Sequence, residues 1–440
     1  MNNPQKLSFW GRGQASSTHS TLNGLYRDDM QERVAVLLPG CIKKTSLYIF
    51  VENLNNILKQ ELKQELLDNI LPYWIKNMTD PENGGFYGRI DGHEQIHKQA
   101  NKGVVLNARI LWTFSAAYRL FEDPQYLVVA ERAYHYILDH FIDKKNGGVY
   151  WELDYLGNPV NTRKQVYAQG FALYGFSEFY RATNRLEALE EAIKIFHLLE
   201  KHAYDPIHGG YIEALDQNWQ PIQDMRLSER DINTPKSMNT HLHIIEPYTN
   251  LLRVWRTPEL EKAHEQLIQL FCQHIISPKT HHLILFFDEQ WNSQSEVVSY
   301  GHDIECSWLL YEAAEVLGNE KLLNQIKPIS IAVAEAAYEG LQTDGSLIYE
   351  TDGNHIDADR HWWVQAEAVV GSVYAHKISN NEKYLNIAQK CWEYIQKHII
   401  DKENGEWFWS AFADGKPSHT DDKAGFWKCP YHNARMCMEI

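Results

Sequence analysis

Two histidine–glutamate pairs and one further histidine have the side-chain types and spacing that proton transfer requires. His302 and Glu305 are three residues apart, as are His243 and Glu246, so each pair shares one face of a helix. A carboxylate beside an imidazole orients the ring and favours its protonated form. His432 supplies a third histidine. We interpret these residues as one candidate site for acid–base chemistry, with metal binding by the two pairs as an alternative.

Other polar and aromatic residues extend this candidate site. Arg109 carries a permanent positive charge, and Tyr167 and Asn239 can form hydrogen bonds. Trp363 and Trp427 are also typical of a core, but indole faces stack well on the apolar C–H faces of sugar rings. A sugar is therefore one class of ligand that this set of residues favours.

A repeated segment indicates which elements position these side chains. "DPENGGFYGRIDG" (80–92) returns in close or looser form five more times, at intervals of 60 to 72 residues. Such a period is typical of a repeat fold. The paired glycines suit positive φ, and the alternating residues that follow them suit a short strand. The markers of the six copies are Gly85, Gly148, Gly210, His282, Gly345 and Gly405.

Each interval between markers contains two helical patterns with apolar residues at i, i+3 and i+4. Five intervals predict ten helices, and one more helix at each end makes twelve. The candidate site residues lie 18 to 36 residues beyond a marker, at or near the start of the first helix of a pair. We therefore predict an all-α (α/α)6 barrel with short β-hairpin-like connections, whose inner helices begin at one mouth. An open solenoid is the alternative.

The remaining sequence sets limits on domains and partners. Residues 1–55 lie outside the repeat and predict a disordered or loosely docked extension, so residues 56–440 form the expected catalytic domain. The net charge of −16 disfavours nucleic acid and anionic membranes as partners. No stretch approaches the length of a membrane span, and the first residues do not resemble a signal peptide. The six cysteines have no paired spacing, so we expect reduced thiols and a cytoplasmic protein. We also expect a monomer without a bound metal.

The motifs together resemble the cellobiose 2-epimerases of the N-acylglucosamine 2-epimerase superfamily. The matching segments include "VYAQGF", "MNTHLHIIEPYTNLLRVW", "YGHDIECSWLL", "DRHWWVQAEA" and "GFWKCPYHNAR". The likeness extends from about Leu58 to the C-terminus. It independently implies an (α/α)6 barrel and a cofactor-free enzyme that converts the reducing-end glucose of cellobiose, lactose and related β-1,4-linked oligosaccharides into mannose.

The resemblance also implies a role for each matching residue. His302 and His432 resemble the acid/base pair that acts at C2, and Glu305 resembles the carboxylate that supports His302. Arg109 resembles the arginine that stabilises the enediolate. Sugar-binding positions match Tyr167, Asn239, His243, Glu246, Trp363 and Trp427. Pro247 departs from the common alanine and is expected to kink the helix that carries His243.

Other functions remain open on the residues alone. A mannose 2-epimerase, a mannose isomerase or an N-acylglucosamine 2-epimerase would use the same fold. A glycoside hydrolase would use two of Glu246, Glu305 and Glu367 as a carboxylate pair. A metal-dependent isomerase and a non-catalytic sugar-binding protein are the remaining alternatives.

Overall fold

The computed structural model describes residues 56–440, and the predicted extension 1–55 lies outside the described residues. Twelve helices occupy the described range. They are α1 (residues 56–77), α2 (Val104–Phe121), α3 (Pro124–Tyr136), α4 (Val166–Thr183), α5 (Leu186–His202), α6 (Met238–Leu252), α7 (Pro258–Leu270), α8 (Tyr300–Leu317), α9 (Glu320–Ala337), α10 (Trp362–Ser379), α11 (Lys383–Tyr394) and α12 (His432–Glu439). Short π-helical turns lie within α1 (Leu66–Ile70) and extend α3, α7 and α11 (Ile137–Phe141, Phe271–Ile275 and Ile395–Ile399), and a 3₁₀ turn follows α9 (Tyr338–Gly340).

The even-numbered helices form an inner ring and the odd-numbered helices an outer one. Helices α2, α4, α6, α8, α10 and α12 each contact the next, and α12 contacts α2. The first fourteen residues of α2 are all buried, since this helix has neighbours on every side. By contrast, α5 buries one stripe of five residues, which is the pattern of an outer helix. The (α/α)6 barrel is confirmed, and the closed inner ring excludes an open solenoid.

Short antiparallel strands join successive repeats at the mouth of the barrel. In residues 56–440 these are β1 (Lys102–Gly103), β2 (Glu152–Leu153), β3 (Pro159–Asn161), β4 (Lys164–Gln165), β5 (Ala214–Leu215), β6 (Lys236–Ser237), β7 (Phe286–Phe287), β8 (Val298–Ser299), β9 (Glu350–Asp352), β10 (His355–Asp357), β11 (Arg360–His361) and β12 (Ser410–Ala411). The strand before an inner helix pairs with a strand from the next repeat, as in β1–β2, β4–β5 and β8–β9. Most pairs therefore connect repeats, and only β2–β3 and β9–β10 are local hairpins.

The repeated "DPENGG" segment is a structural turn with a buried ion pair. Asp80 accepts hydrogen bonds from the backbone N–H groups of Glu82 and Asn83, and the buried Lys102 binds its other oxygen at 2.8 Å. Gly85 has φ +59°, and a Cβ there would lie 2.6 Å from the Tyr136 ring. The positive φ predicted for this glycine is confirmed. Equivalent pairs recur in three more repeats, namely Asp143–Lys164, Asp205–Lys236 and Asp401–Lys423.

The fourth residue of four inner helices binds the strand that follows a marker. Gln169 donates to the Val149 carbonyl and accepts from its N–H, both at 2.8 Å. In two other helices, His241 accepts a hydrogen bond from Tyr211 N–H and Asp303 accepts one from Leu283 N–H. In the fourth, Gln365 accepts from the N–H of Leu347 and donates to its carbonyl. These polar residues therefore fix four inner helices to the β layer. Other positions in the first turns of the inner helices are left to form the site.

Candidate active site

The candidate site lies where the N-terminal turns of the inner helices converge. Among α2, α4, α6, α8 and α10, the sixth residue of four helices carries a charged or ionisable side chain, and the second residue of three carries a polar or aromatic one. Position six contributes Arg109, His243, Glu305 and Glu367, and position two contributes Tyr167, Asn239 and Trp363. Contacts among these side chains show that one face of each helix turns toward the barrel axis.

Arg435, the fourth residue of α12, links three carboxylates at the centre of this site. Its guanidinium donates to Glu305 and to Glu367, each at 2.7 Å, and also to Glu246. These three glutamates come from α8, α10 and α6. The arginine is 1% exposed and its planar fork reaches several acceptors at once. Arg435 therefore ties three inner helices to the last one.

His432 is oriented by a carboxylate. Its Nδ1 lies 2.8 Å from Oε1 of Glu367, and the other oxygen of Glu367 accepts a hydrogen bond from Trp308 at 2.9 Å. A carboxylate at Nδ1 holds the proton there, so Nε2 is the nitrogen with a lone pair. Because Nε2 is thus unprotonated, His432 can accept a proton from a substrate.

The prediction that Glu305 supports His302 is wrong in this structure. His302 Nδ1 lies 2.8 Å from the hydroxyl of Ser299, the residue just before α8. Glu305 instead binds Arg435 and lies 3.7 Å from Nδ1 of His432. The i, i+3 spacing permits a contact between His302 and Glu305, but Arg435 offers the carboxylate a charged donor.

The second histidine–glutamate pair does form. Nδ1 of His243 lies 2.9 Å from Oε2 of Glu246, whose other oxygen binds Arg435 and the hydroxyl of Tyr431. The predicted kink at Pro247 is also confirmed, since His243 has φ −91° and ψ 15° within α6. Proline has no N–H to donate to the carbonyl four residues earlier, which is that of His243.

Arg109 lies among aromatic rings of the site. It donates to the Tyr167 hydroxyl at 2.8 Å, and its guanidinium carbon lies 4.2 Å from the Phe171 ring centroid and 4.7 Å from that of Tyr431. No carboxylate of the described residues pairs with it. Arg109 therefore keeps its charge available for an anion that develops on a substrate.

The two tryptophans are half-buried, as a sugar platform requires. The Trp363 ring centroid lies 4.8 Å from that of His302 and 5.6 Å from that of His432. One indole thus contacts both histidines predicted to act at C2. Trp427 lies 6.1 Å from Tyr167, and its carbonyl is 3.5 Å from Arg109.

Asn239 is half-buried at the second position of α6. Its Oδ1 makes no hydrogen bond to any residue in 56–440. The residue lines a small cavity of about 20 Å³ together with Glu213, Arg226 and Asp231. This space holds about one water molecule, so the contact of Asn239 with a sugar stays a prediction.

Burial sets the protonation states of the site. It lowers the pKa of His302 to about 4, and burial together with the charge of Arg109 lowers that of His432 well below its ordinary value. Burial and the neighbouring Glu367 raise the pKa of Glu305, while burial raises that of Glu367 to about 8. The expectation that nearby carboxylates favour protonated imidazoles is therefore wrong, because loss of hydration outweighs the attraction. Both histidines are neutral bases near pH 7.

A metal would have to compete with Arg435. In residues 56–440, the His, Cys, Asp and Glu donors that converge are those of Glu305, Glu367 and His432, within 4.8 Å of one another. Arg435 already binds both carboxylates at 2.7 Å and supplies the positive charge there. The two His-x-x-Glu pairs do not form a joint ligand set, so the donors fit an arginine-centred network better than a cation site.

Comparison with known proteins identifies the family. The model of the N-acylglucosamine 2-epimerase family matches residues 85–435. A cellobiose 2-epimerase of Bacteroides fragilis is 54% identical over 88% of this chain and 99% of its own length. The chain belongs to the N-acylglucosamine 2-epimerase family.

Two further cellobiose 2-epimerases are similar to this chain over nearly the same share of its length. A cellobiose 2-epimerase of Dictyoglomus turgidum is 39% identical over 87% of this chain and 98% of its own length. The solved structure of cellobiose 2-epimerase from Bacillus thermoamylovorans B4167 superposes with a TM-score of 0.84 at 41% identity, covering 87% of this chain and 98% of that one. This chain therefore shares the fold of that solved structure over nearly the whole of residues 56–440.

Sequence reasoning missed two residues of this site and gave a third another role. Arg435, Ser299 and Glu367 hold the candidate catalytic groups, and of these the sequence predicted only Glu367, as an alternative hydrolase carboxylate. The signal for Glu367 was its position, since it occupies the same place in α10 as Glu305 in α8. The sequence contains no comparable signal for Arg435, whose carboxylate partners are 68 to 189 residues away.

Proposed function

We propose that this protein is a cellobiose 2-epimerase, which reversibly converts the reducing-end glucose of cellobiose into mannose. The proposal extends to lactose and other β-1,4-linked oligosaccharides. The observation that carries it is the contact of both His302 and His432 with Trp363, near an arginine that has no carboxylate partner among the described residues. Epimerisation at C2 requires such an arrangement, because protons must be removed and returned on opposite faces of one carbon.

The first step is opening of the sugar ring. The C2 hydrogen is acidic only when C1 is an aldehyde, so a proton must move from the C1 hydroxyl while the ring oxygen gains one. A neutral histidine can accept one of these protons and return it. His432 is suited to this exchange because Glu367 holds the ring at Nδ1 and leaves Nε2 as the proton acceptor.

The second step transfers the C2 proton. One of His302 and His432 removes it as a neutral base, and the electron pair of the C–H bond moves into the C1–C2 bond to give a cis-enediolate. Arg109, with Tyr167 and His243 beside it, stabilises the negative oxygens. After rotation about C2–C3, the second histidine returns a proton to the other face, and the ring closes as mannose.

The carboxylates do not favour glycoside hydrolysis. A hydrolase needs two carboxyl groups that flank the scissile bond. Here Glu246, Glu305 and Glu367 all bind the same arginine, so they converge on one point and do not flank a bond from two sides. A sugar-binding protein without activity would not need two histidines held at Nδ1 by separate partners.

The decisive experiment is incubation with cellobiose in deuterated water. We expect 4-O-β-glucosyl-mannose with deuterium at C2, detected by chromatography and proton NMR. Free glucose would instead indicate a hydrolase, and a ketose product would indicate an isomerase. Parallel reactions with mannose and N-acetylmannosamine test the other activities of the family. Faster turnover of either than of cellobiose would overturn the proposal.

Two expectations about the protein's setting stay predictions. None of the helices described in residues 56–440 is long and apolar enough to cross a membrane. A cytoplasmic location remains an expectation, to be checked by fractionation of cells. A monomer also remains an expectation, to be checked by light scattering, although every side chain of the candidate site comes from one chain.

A further inference from the structure

His302 is connected through a serine to a carboxylate outside the catalytic set. Ser299 ends β8, is fully buried, and places its hydroxyl 2.8 Å from Nδ1 of His302. On the neighbouring strand, Glu350 lies directly opposite Ser299 in the β8–β9 register. Residues directly opposite each other in an antiparallel pair share one face of the sheet, so Glu350 lies on the same face as Ser299. The three residues are thus neighbours in the order Glu350, Ser299, His302, which leads from the β layer to the imidazole predicted to react.

We propose that Ser299 and Glu350 are positioning residues that fix the tautomer of His302. An ionised carboxylate only accepts hydrogen bonds, so the single hydroxyl proton of Ser299 is donated to Glu350. The Ser299 oxygen must then accept from Nδ1–H of His302. This leaves Nε2 of His302 unprotonated, which is the form that removes a proton from a substrate carbon.

The surroundings of Glu350 fix its place. Tyr349, its neighbour in the chain, stacks on His361 with 4.0 Å between the ring centroids. The Tyr349 ring lies 6.1 Å from Trp363, which in turn contacts His302. The other charged groups that act on Glu350 are Asp357 from β10 and Asp231 from the segment between β5 and β6. Both are acidic.

The charge of Glu350 makes the relay, which is the proposed hydrogen-bond path from Glu350 through Ser299 to His302, sensitive to pH. Burial raises the pKa of Glu350 to about 7, and the nearby acids Asp357 and Asp231 add to that rise. Above this pH the ionised carboxylate enforces the base form of His302. Below it, the protonated carboxyl can donate to Ser299, whose hydroxyl is then free to donate to Nδ1. Other groups that face His302 are His432 and His243, both held neutral by burial, and the uncharged Trp363.

The kinetic test compares three variants and rests on the proposed function. Ser299→Ala removes the hydroxyl between Glu350 and His302. Glu350→Gln replaces the carboxylate by an amide, which can either donate a hydrogen bond to Ser299 or accept one from it. Ser299→Thr keeps a hydroxyl at this position. We expect the first two to lower kcat about 10- to 100-fold with little change in KM, and the third to recover most of it. We expect kcat of the wild-type protein to fall as the pH decreases through about 7. We expect kcat of the Glu350→Gln variant not to show this decrease. Asp352→Asn, an exposed acid on the same strand, is the matched control.

A spectroscopic test decides the inference independently of activity. Protein labelled with ¹⁵N-histidine, with His302 assigned by a His302→Gln variant, reports the tautomer by long-range ¹H–¹⁵N NMR. We expect Nδ1–H at pH 8 in wild type and in Ser299→Thr, and a mixture or Nε2–H in Ser299→Ala and Glu350→Gln. An unchanged tautomer in both altered variants would overturn the relay. This result stands whether or not cellobiose is the substrate, so failure of the relay and failure of the proposed function are distinguishable.

Discussion

At the scale of single residues, the site depends on how a few buried charges share their partners. Arg435 binds Glu246, Glu305 and Glu367 in a region with almost no solvent. One positive charge does not neutralise three carboxylates, and burial raises the pKa of Glu305 and Glu367 accordingly. The same burial keeps His302 and His432 neutral. Proton acceptors and proton donors therefore coexist near pH 7.

Replacing either proposed acid–base residue tests the chemistry directly. We expect His302→Ala and His432→Ala each to lower kcat about 10²- to 10⁴-fold, since each would remove proton transfer on one face of C2. Steady-state kinetics with cellobiose measures the effect. His208→Ala, on an exposed turn, is the control and should keep wild-type kcat. Near-normal turnover by either active-site variant would contradict the assignment.

Removing Arg435 should affect stability in a pH-dependent way. Arg435→Met leaves three buried carboxylates without their shared cation, at a cost of about 3–5 kcal/mol in the free energy of unfolding. The carboxyl pKa values, already raised, would rise further, so the folded state gains protons relative to the unfolded state. The loss should therefore be largest at pH 8 and smaller at pH 5.5.

Urea unfolding at the two pH values measures this difference. Arg256→Met removes a half-exposed partner of Glu261 and should cost under about 1 kcal/mol. An equal loss for Arg435→Met at both pH values would show that the carboxylates do not titrate as a group.

At the scale of elements, the turn between repeats determines where each inner helix begins. In four repeats an aspartate caps the turn and a buried lysine binds it. Three of these lysines lie in β1, β4 and β6, each just before an inner helix, and Lys423 lies between β12 and α12. Burial alone would raise the pKa of Asp143, but hydrogen bonds from Asn146 and Lys164 lower it below its ordinary value. The ion pair therefore joins two segments of backbone that are 21 residues apart.

Breaking one of these pairs should destabilise the barrel strongly. Lys164→Met leaves the Asp143 carboxylate buried without its cation, and we expect a loss of about 3–5 kcal/mol in the free energy of unfolding. Chemical denaturation followed by circular dichroism measures it. Lys194→Met removes the partner of Glu191 from an exposed pair and should cost under about 1 kcal/mol. Similar losses in the two variants would argue that the repeated pair is not structural.

At the scale of the whole molecule, the first helix and the last repeat close the ring. Trp74 of α1 donates to Glu406 at 2.7 Å, and Trp407 donates to Glu65 at 2.8 Å. Trp392 of α11 donates to Glu61. Glu406 in turn binds Lys428 and Asn433 next to the candidate site. Residues more than 300 positions apart thus share one buried network, which an open array of repeats would lack.

Closure predicts that the barrel unfolds as one unit. Native-state hydrogen exchange should give α1 and α12 protection close to that of α6, whereas the ends of an open solenoid would fray. Trp74→Ala should lower the free energy of unfolding of the whole barrel by about 3–5 kcal/mol. Trp255→Ala, at a half-buried position beside α5, should cost less. Early exchange confined to α1 would contradict closure.

The sequence by itself determined the repeat, the twelve helices and most of the residues that line the site. These features are local or periodic: paired glycines suit positive φ, apolar spacing indicates helices, and equivalent places in successive repeats lie at the same mouth. Gly85, Arg109 and Trp363 could be placed on those grounds alone. The kink at His243 likewise followed from the missing N–H of Pro247.

Only the tertiary structure decided which charged groups are partners. Spacing along one helix pairs His302 with Glu305, but the folded barrel brings Arg435 to Glu305 and Ser299 to His302. It also reversed the expected protonation of the histidines, since their loss of hydration depends on every helix around them. Hydrogen bonds between distant segments, and the hydration that each group loses, are properties of the closed ring and leave no periodic mark in the sequence.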